Sequence, residues 1–424
     1  MTEERIAVSC WPVSLTETRL RERITRFESE RDILPGRVVP VVDADRVGAL
    51  VAALAVRASG GIPLLGDERW DPNLWAGLRR LGDDAEPALG MAWATFSSGS
   101  TGTPRVIVRS EHSWSASFLG VTGLLDLTDR DVVYLPAPLA SSMSLFSVAH
   151  SRSVGASILL PRAHTVSAAD LAHATVMHGT PHALRAVVEL IEGGARHRLR
   201  AALVGGAHLD HVVRERAEAA GISVVSYYGA AELSFVAVDA DGLGYRAFPG
   251  VEVREAEGEL WVRSPYFASG YLGAATGPFA TSPGAFRRDE QGWATVGDAV
   301  DANPAEFLRL RGRRDGAILT AAATVIPEDV EAALRLIDGV EDAVVFGLPH
   351  AGAGSLVGAL VETSPGRPLP SVRELREQAR ARLALSHLPR RWFWTERLPR
   401  TASGKPARAQ VRDAALSGQV RRLG

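Results

Sequence analysis

Short, β-branched apolar runs alternate along this chain with segments of helical periodicity, and that alternation limits the fold more than any other feature. Val38-Val39-Pro40-Val41-Val42 precedes a helix-like stretch over 46–59. Ser157-Ile158-Leu159-Leu160 stops at Pro161, and Ala201-Ala202-Leu203-Val204 runs into Gly205-Gly206. Ile222-Ser223-Val224-Val225 runs into Tyr227-Tyr228-Gly229. Strand, turn and helix in repetition specify a parallel α/β architecture with functional residues at the strand ends. From about Val251 the pattern changes to β-rich segments at 251–253 and 259–262, which predicts a small β subdomain.

A second change falls at Gly312-Arg313-Arg314-Asp315. Beyond it lie a helix-like 327–337, a strand-like Ala343-Val344-Val345-Phe346 and a charged helix over 371–385. These predict a compact α+β module of ordinary domain size. The expected division is a core over 1–312 and a C-terminal lobe over 313–424. A chain of 424 residues that is 46% hydrophobic has ample material for such cores.

A net charge of -2 leaves no electrostatic footprint for nucleic acid or an acidic membrane surface. The single cysteine, Cys10, excludes an internal disulfide framework and suits a reducing compartment. Met1-Thr2-Glu3-Glu4-Arg5 has no signal-peptide pattern, and no apolar run approaches the ~20 residues of a membrane span. A soluble, cytoplasmic protein with no nucleic-acid or membrane partner is expected.

Two segments carry chemistry. Of the 47 basic residues one is lysine, Lys405, and it follows Ser403-Gly404. A lysine is a compact ammonium on a flexible stem, able to enter where a planar guanidinium does not fit, and Ser-Gly is a turn that can deliver it. The second segment is Ser97-Ser98-Gly99-Ser100-Thr101-Gly102-Thr103-Pro104-Arg105. Its glycines and hydroxyls offer N–H and O–H donors to phosphate oxygens, and Arg105 adds a cation. It is not a Walker A loop, which requires Gly-x-x-x-x-Gly-Lys-Ser/Thr.

With Tyr227-Tyr228-Gly229-Ala230-Ala231-Glu232, Val296-Gly297-Asp298, the 312–315 segment followed by Ile326-Pro327-Glu328, and the Ser-Gly-Lys ending, this loop resembles the AMP-forming adenylating superfamily. That superfamily includes acyl-CoA synthetases, peptide-synthetase adenylation domains and luciferases. The resemblance implies a large body of parallel α/β subdomains, a small β subdomain and a mobile α+β C-terminal lobe. It implies that Ser97, Ser98, Gly99, Ser100, Thr101, Gly102 and Arg105 cradle the phosphates of ATP. Gly205, Gly206 and Ala207 would line the adenine and acyl pocket. Tyr228, beside Gly229, would stack on adenine, and Glu232 would hold Mg²⁺. Asp298 would accept the ribose hydroxyls near Arg313, Asp315 would be the hinge, and Lys405 would bridge the carboxylate and the α-phosphate. Taken singly, Glu232 also suits a helix cap, Asp298 a turn and Tyr228 a core position.

The chain departs from the family's pattern at several points. Arg105 stands where lysine is usual, and Ala231 where a threonine is usual. After the hinge, Leu319-Thr320-Ala321-Ala322-Ala323-Thr324 replaces a Lys-x-x-Gly-x-Arg pattern. Ala322 adds a methyl where a pantetheine arm would pass the backbone. In the acyl pocket, Ser141 and Ser142 align where amino-acid-activating domains place an aspartate, which disfavours an α-amino acid. His173, His178 and His182 could suggest a metal, but Pro181 interrupts the helix that would align the last two. The 178–182 segment is expected to line the acyl pocket or cap its helix.

The expected activity is an ATP-dependent carboxylic acid ligase using Mg²⁺. It would make an acyl-adenylate and transfer the acyl group to coenzyme A or to the phosphopantetheine of an acyl carrier protein. Two rival readings remain open: a ligase with an amine or other small nucleophile as acceptor, and a nucleotide-binding homologue without turnover.

Overall fold

The apolar runs form strands because both of their faces are covered. Along Ala201–Gly205, Ala201 and Leu203 enter one core cluster while Ala202 and Val204 enter another. Period-2 alternation thus feeds two cores, and the strand carries no polar position, as in a sheet buried on both sides. The computed structural model describes residues 4–423 except 44, 68–69, 71, 87, 97–104, 164, 273–285, 301–306, 309, 314–317, 321–323, 351–353, 364–366 and 401–405. It gives backbone alone at 73–74, 310–313, 319, 324 and 354.

Among the described residues the largest sheet has nine strands, in the order Arg246–Ala247, Ser234–Asp239, Ser223–Ala230, Ala201–Gly205, Val176–Gly179, Val132–Tyr134, Ser157–Leu159, Ile6–Cys10, Val13–Thr16. From Ser223–Ala230 to Ile6–Cys10 the strands run parallel. A five-stranded sheet joins the parallel strands Val38–Val41, Ile62–Leu65 and Met91–Phe96 to the antiparallel Val106–Ser110 and Gly270–Tyr271. The small β subdomain is a six-stranded antiparallel sheet built on the hairpin Glu252–Ala256 and Glu259–Arg263. Glu257 and Gly258 both have positive φ, 54° and 76°, the signature of a two-residue hairpin turn.

The C-terminal part pairs Val340–His350, Gly354–Thr363, Arg391–Thr395 and Arg421–Leu423 in one sheet, with the helix Pro327–Arg335 against it. Ile318 and Val325 pack into that core, whereas Val300 and Leu308 belong to the body. The helix expected over 371–385 is shorter, Val372–Arg380. Ser371 and Glu374 close a reciprocal capping box at its start, and the chain bends away after Ala381. No helix among the described residues is long and apolar enough to cross a membrane.

One strand runs further than its sequence suggests. Ser223–Ala230 continues through Tyr227-Tyr228-Gly229 and then folds back antiparallel onto Ser234–Asp239, with an irregularity between Tyr228 and Gly229. The return is tight. Ser234 sits at φ 60°, and a Cβ on Gly229 would lie 2.1 Å from the Ser234 carbonyl oxygen. Only glycine fits there without moving backbone. Gly229→Ala should therefore cost about 1–3 kcal/mol by overpacking, seen as a lowered midpoint in thermal unfolding. An unchanged midpoint would show that this turn relaxes freely.

Candidate active site

The ends of the parallel strands gather most of the candidate residues. Ala201–Gly205 ends in a turn where Gly206 has φ +88°. Gly205 is opposite Tyr227 on the neighbouring strand, and the Tyr227 ring lies across it so closely that a Cβ would come within 2.2 Å. The Tyr227 hydroxyl is 3.0 Å from His178 Nε2, and His178 Nδ1 is hydrogen-bonded to the Ser147 hydroxyl. His178 is 2% exposed, and burial, helped by His150, pushes its pKa down to about 3. It is a neutral imidazole with both nitrogens engaged. The following helix, Pro181–Glu192, is capped by Thr180, whose hydroxyl accepts from the Ala183 N–H at 3.3 Å. Ser141 likewise caps the helix Ser142–Val154, accepting from the Ser144 N–H at 3.2 Å, and Ser142 opens that helix.

Tyr228 points to a different partner. Its hydroxyl donates to Asp298 Oδ2, across 70 residues of sequence. Asp298 in turn stands opposite Arg313 in the antiparallel pairing of Asp298–Val300 with Leu310–Arg313. The ring expected to face adenine and the carboxylate expected to hold ribose are thus brought together, and strand register sets the Arg313 backbone opposite Asp298.

The third group is charged and buried. Glu232 follows the Tyr-Gly turn, is 3% exposed and starts no helix. Its Oε1 accepts from the Tyr271 hydroxyl at 3.0 Å, and among the described residues none donates to its Oε2. Arg109 is wholly buried nearby. It donates to the Ala231 carbonyl at 2.6 Å, the Ser234 hydroxyl at 2.9 Å and the Ser113 hydroxyl at 3.1 Å. Burial pushes its pKa down to about 9 against the opposing pull of Glu232, so it remains a cation at neutral pH. Arg105, which closes the phosphate loop, stacks over Tyr271 with its guanidinium carbon 5.4 Å from the ring centroid.

With this geometry in place, comparison with known proteins is decisive. The sequence profile of AMP-binding enzymes matches residues 14–272, and that of the AMP-binding enzyme C-terminal domain matches 329–405. The chain belongs to the AMP-binding enzyme family. It is 28% identical over 341 residues to an uncharacterised acyl-CoA ligase of Bacillus subtilis, covering 75% of this chain and 67% of that one. The O-succinylbenzoate coenzyme A synthetase of Bacillus subtilis, solved with ATP and magnesium ion, superimposes with TM-score 0.80 at 20% identity, covering 97% of this chain and 98% of that one. The amide bond synthetase of Marinactinospora thermotolerans gives TM-score 0.80 at 23% identity, covering 97% of each chain. These structures share the fold. The expected AMP-forming adenylating superfamily, with its α/β body and C-terminal lobe, is thereby established.

Within this family fold, Glu232 suits a magnesium ion. A hard, small cation is held by one or two carboxylates together with substrate phosphates, and Glu232 keeps Oε2 clear of described donors while Oε1 is fixed. Sequence reasoning missed Arg109 and Tyr271. Arg109 was detectable as a charge that directly follows the apolar run Val106-Ile107-Val108 within one short strand. Tyr271 had no signal, because its partner Glu232 is 39 residues away and reached through sheet pairing.

The candidate residues at 97–102, Asp315, Ala322 and Lys405 lie outside the described residues, and Arg313 is described in its backbone only. The lobe that carries the last of them meets the body through Arg185, which donates to the Glu341 carbonyl at 3.1 Å and to its carboxylate. Arg400 pairs with Asp342 at 2.7 Å, and burial followed by the charges of Arg400 and Arg185 pushes the His182 pKa down to about 4.

His178 makes a pH prediction. Its folded pKa lies below the ~6.5 of an unfolded histidine, so protons bind the unfolded chain first. Its contribution is complete above about pH 6.5 and is lost as pH falls towards about 3, by roughly 1.4 kcal/mol per pH unit. Denaturant unfolding at pH 7, 6 and 5 should show a shallower acid loss in His178→Gln than in the wild type. Equal slopes would contradict the buried neutral imidazole.

Proposed function

We propose that this protein is an ATP-dependent, AMP-forming carboxylic acid ligase that transfers the acyl group to a thiol, with coenzyme A as the acceptor. The observation that carries the reading is the Tyr228–Asp298 hydrogen bond with Asp298 in register opposite Arg313. It supports a nucleoside-binding corner made from three segments that the family resemblance assigned to adenine and ribose. The acyl-CoA ligase relative supports the acid–thiol assignment.

In the first step a carboxylate oxygen attacks the α-phosphorus, the bond to the bridging oxygen breaks, and pyrophosphate leaves. Two anions must be brought together, so positioning and charge stabilisation supply most of the rate. Tyr228 and Asp298 orient the nucleoside, Arg105 and the 97–104 loop neutralise the phosphates, and Lys405 bridges the carboxylate and the α-phosphate. Magnesium held by Glu232 would neutralise phosphate charge when bound. In the second step the thiol sulfur attacks the acyl carbon, its proton is lost, and AMP leaves. We assign the core to 1–312, the lobe to 313–424 and the hinge to Asp315, so that lobe rotation exchanges the two steps.

ATP–pyrophosphate exchange against pooled carboxylic acids tests the first step. Exchange should depend on the acid, and Lys405→Ala should lower it roughly 10²–10³-fold, the cost of losing one charge-stabilising donor. No exchange with any acid pool, with ATP still bound, would support a non-catalytic nucleotide-binding role.

Ala322 motivates a second reading, in which an amine accepts the acyl group and no pantetheine passage is needed. Supplying the identified acid with coenzyme A, a phosphopantetheinylated carrier protein or simple amines separates the cases. Thioester with coenzyme A is the expected product. Amide in its absence would overturn the thiol assignment.

A further inference from the structure

Tyr271 belongs to none of the segments that carry the family resemblance, yet it touches both charged ends of the phosphate site. It lies in the two-residue strand Gly270–Tyr271, paired antiparallel to Val106–Ser110 with Tyr271 opposite Ile107. That register brings its ring beside Arg105, which immediately precedes the partner strand, and the guanidinium carbon sits 5.4 Å from the ring centroid. Cation–π contact of this kind fixes an otherwise flexible side chain.

The hydroxyl is constrained from two sides. It accepts the Phe286 N–H at 3.1 Å and donates to Glu232 Oε1 at 3.0 Å. A phenol has one proton, and with the backbone N–H on its acceptor side that proton is directed at the carboxylate. Arg109, fully buried and bonded to the Ala231 carbonyl and the Ser234 hydroxyl, fixes the turn on the other side of Glu232.

We propose that Tyr271 is a positioning residue for the metal–phosphate end of the site. Its ring holds Arg105, and its hydroxyl fixes Glu232 so that Oε2 is the oxygen presented to Mg²⁺. The inference rests on Glu232 being the magnesium carboxylate. Hydrogen-bond partners that orient a metal-ligating carboxylate typically change metal affinity 10–100-fold when removed.

The test uses ATP binding measured by calorimetry on the full chain, without acid, across a series of Mg²⁺ concentrations. Tyr271→Phe keeps the ring under the Arg105 guanidinium and removes the hydroxyl, with its bonds to Glu232 and to the Phe286 N–H. It should raise the Mg²⁺ concentration for half-maximal ATP affinity about tenfold, while ATP affinity in chelator stays within about twofold of the wild type. In a Glu232→Gln background the same substitution should produce no further shift, because the hydroxyl acts through that carboxylate.

An unchanged Mg²⁺ midpoint in Tyr271→Phe overturns the proposal. So does an equal loss of ATP affinity with and without Mg²⁺, which marks a tyrosine that merely supports the fold. A full-sized shift persisting in the Glu232→Gln background also overturns it. Acid-dependent exchange decides the ligase reading and Mg²⁺-linked ATP binding decides this one, so either can fail while the other stands.

Discussion

A fully buried arginine beside a buried glutamate is the constraint on which the rest of the body depends. Arg109 belongs to a strand of the five-stranded sheet, but its guanidinium ends on Ala231 and Ser234, in the turn that closes the nine-stranded sheet. Taking a charge out of water costs several kcal/mol unless its donors are satisfied and an opposite charge is near. Here carbonyls and hydroxyls meet the two terminal nitrogens and Glu232 supplies the opposite charge, while Nε has no partner among the described residues. The two sheets are therefore held in one relative position, and that position is where the phosphate loop enters and the Tyr-Gly turn leaves.

From this anchor the site spreads in two directions. On the side proposed for the phosphates, Tyr271 connects Glu232 to Arg105. On the side proposed for the nucleoside, Tyr228 connects the nine-stranded sheet to Asp298 in the small β subdomain. Three sheets each contribute to one place, and no single one contains a complete site. That arrangement suits a reaction in which rate comes from holding two anions in register, because each contact is fixed by backbone pairing before substrate arrives. The C-terminal lobe adds a contact of another kind, a half-buried ion pair between Arg185 and Glu341 with Arg400 and His182 close by. Such a contact is easier to break and remake than the Arg109 cluster.

The parallel strands were legible because burial on both faces leaves continuous apolar runs, as at Ala201–Gly205 and Ser157–Leu159. The candidate residues Tyr228, Glu232 and Asp298 were legible through short motifs that resemble a known enzyme superfamily. What the chain concealed depends on distant pairing. The role of Arg109 and the bond from Tyr271 come from partners far along the sequence, and local periodicity carries no trace of them. The histidines show the reverse case. Their spacing hinted at a metal, but His178 is tied to Ser147 and Tyr227, and the helix after it is capped by Thr180.

The most direct test of a single nucleotide site organised around Glu232 is a crystal structure with ATP and Mg²⁺ bound. The account predicts adenine against Tyr228, ribose on Asp298, the metal on Glu232 Oε2 and the Tyr271 hydroxyl still on Oε1. A metal held elsewhere, with both Glu232 oxygens turned to Arg109 and Tyr271, would contradict it.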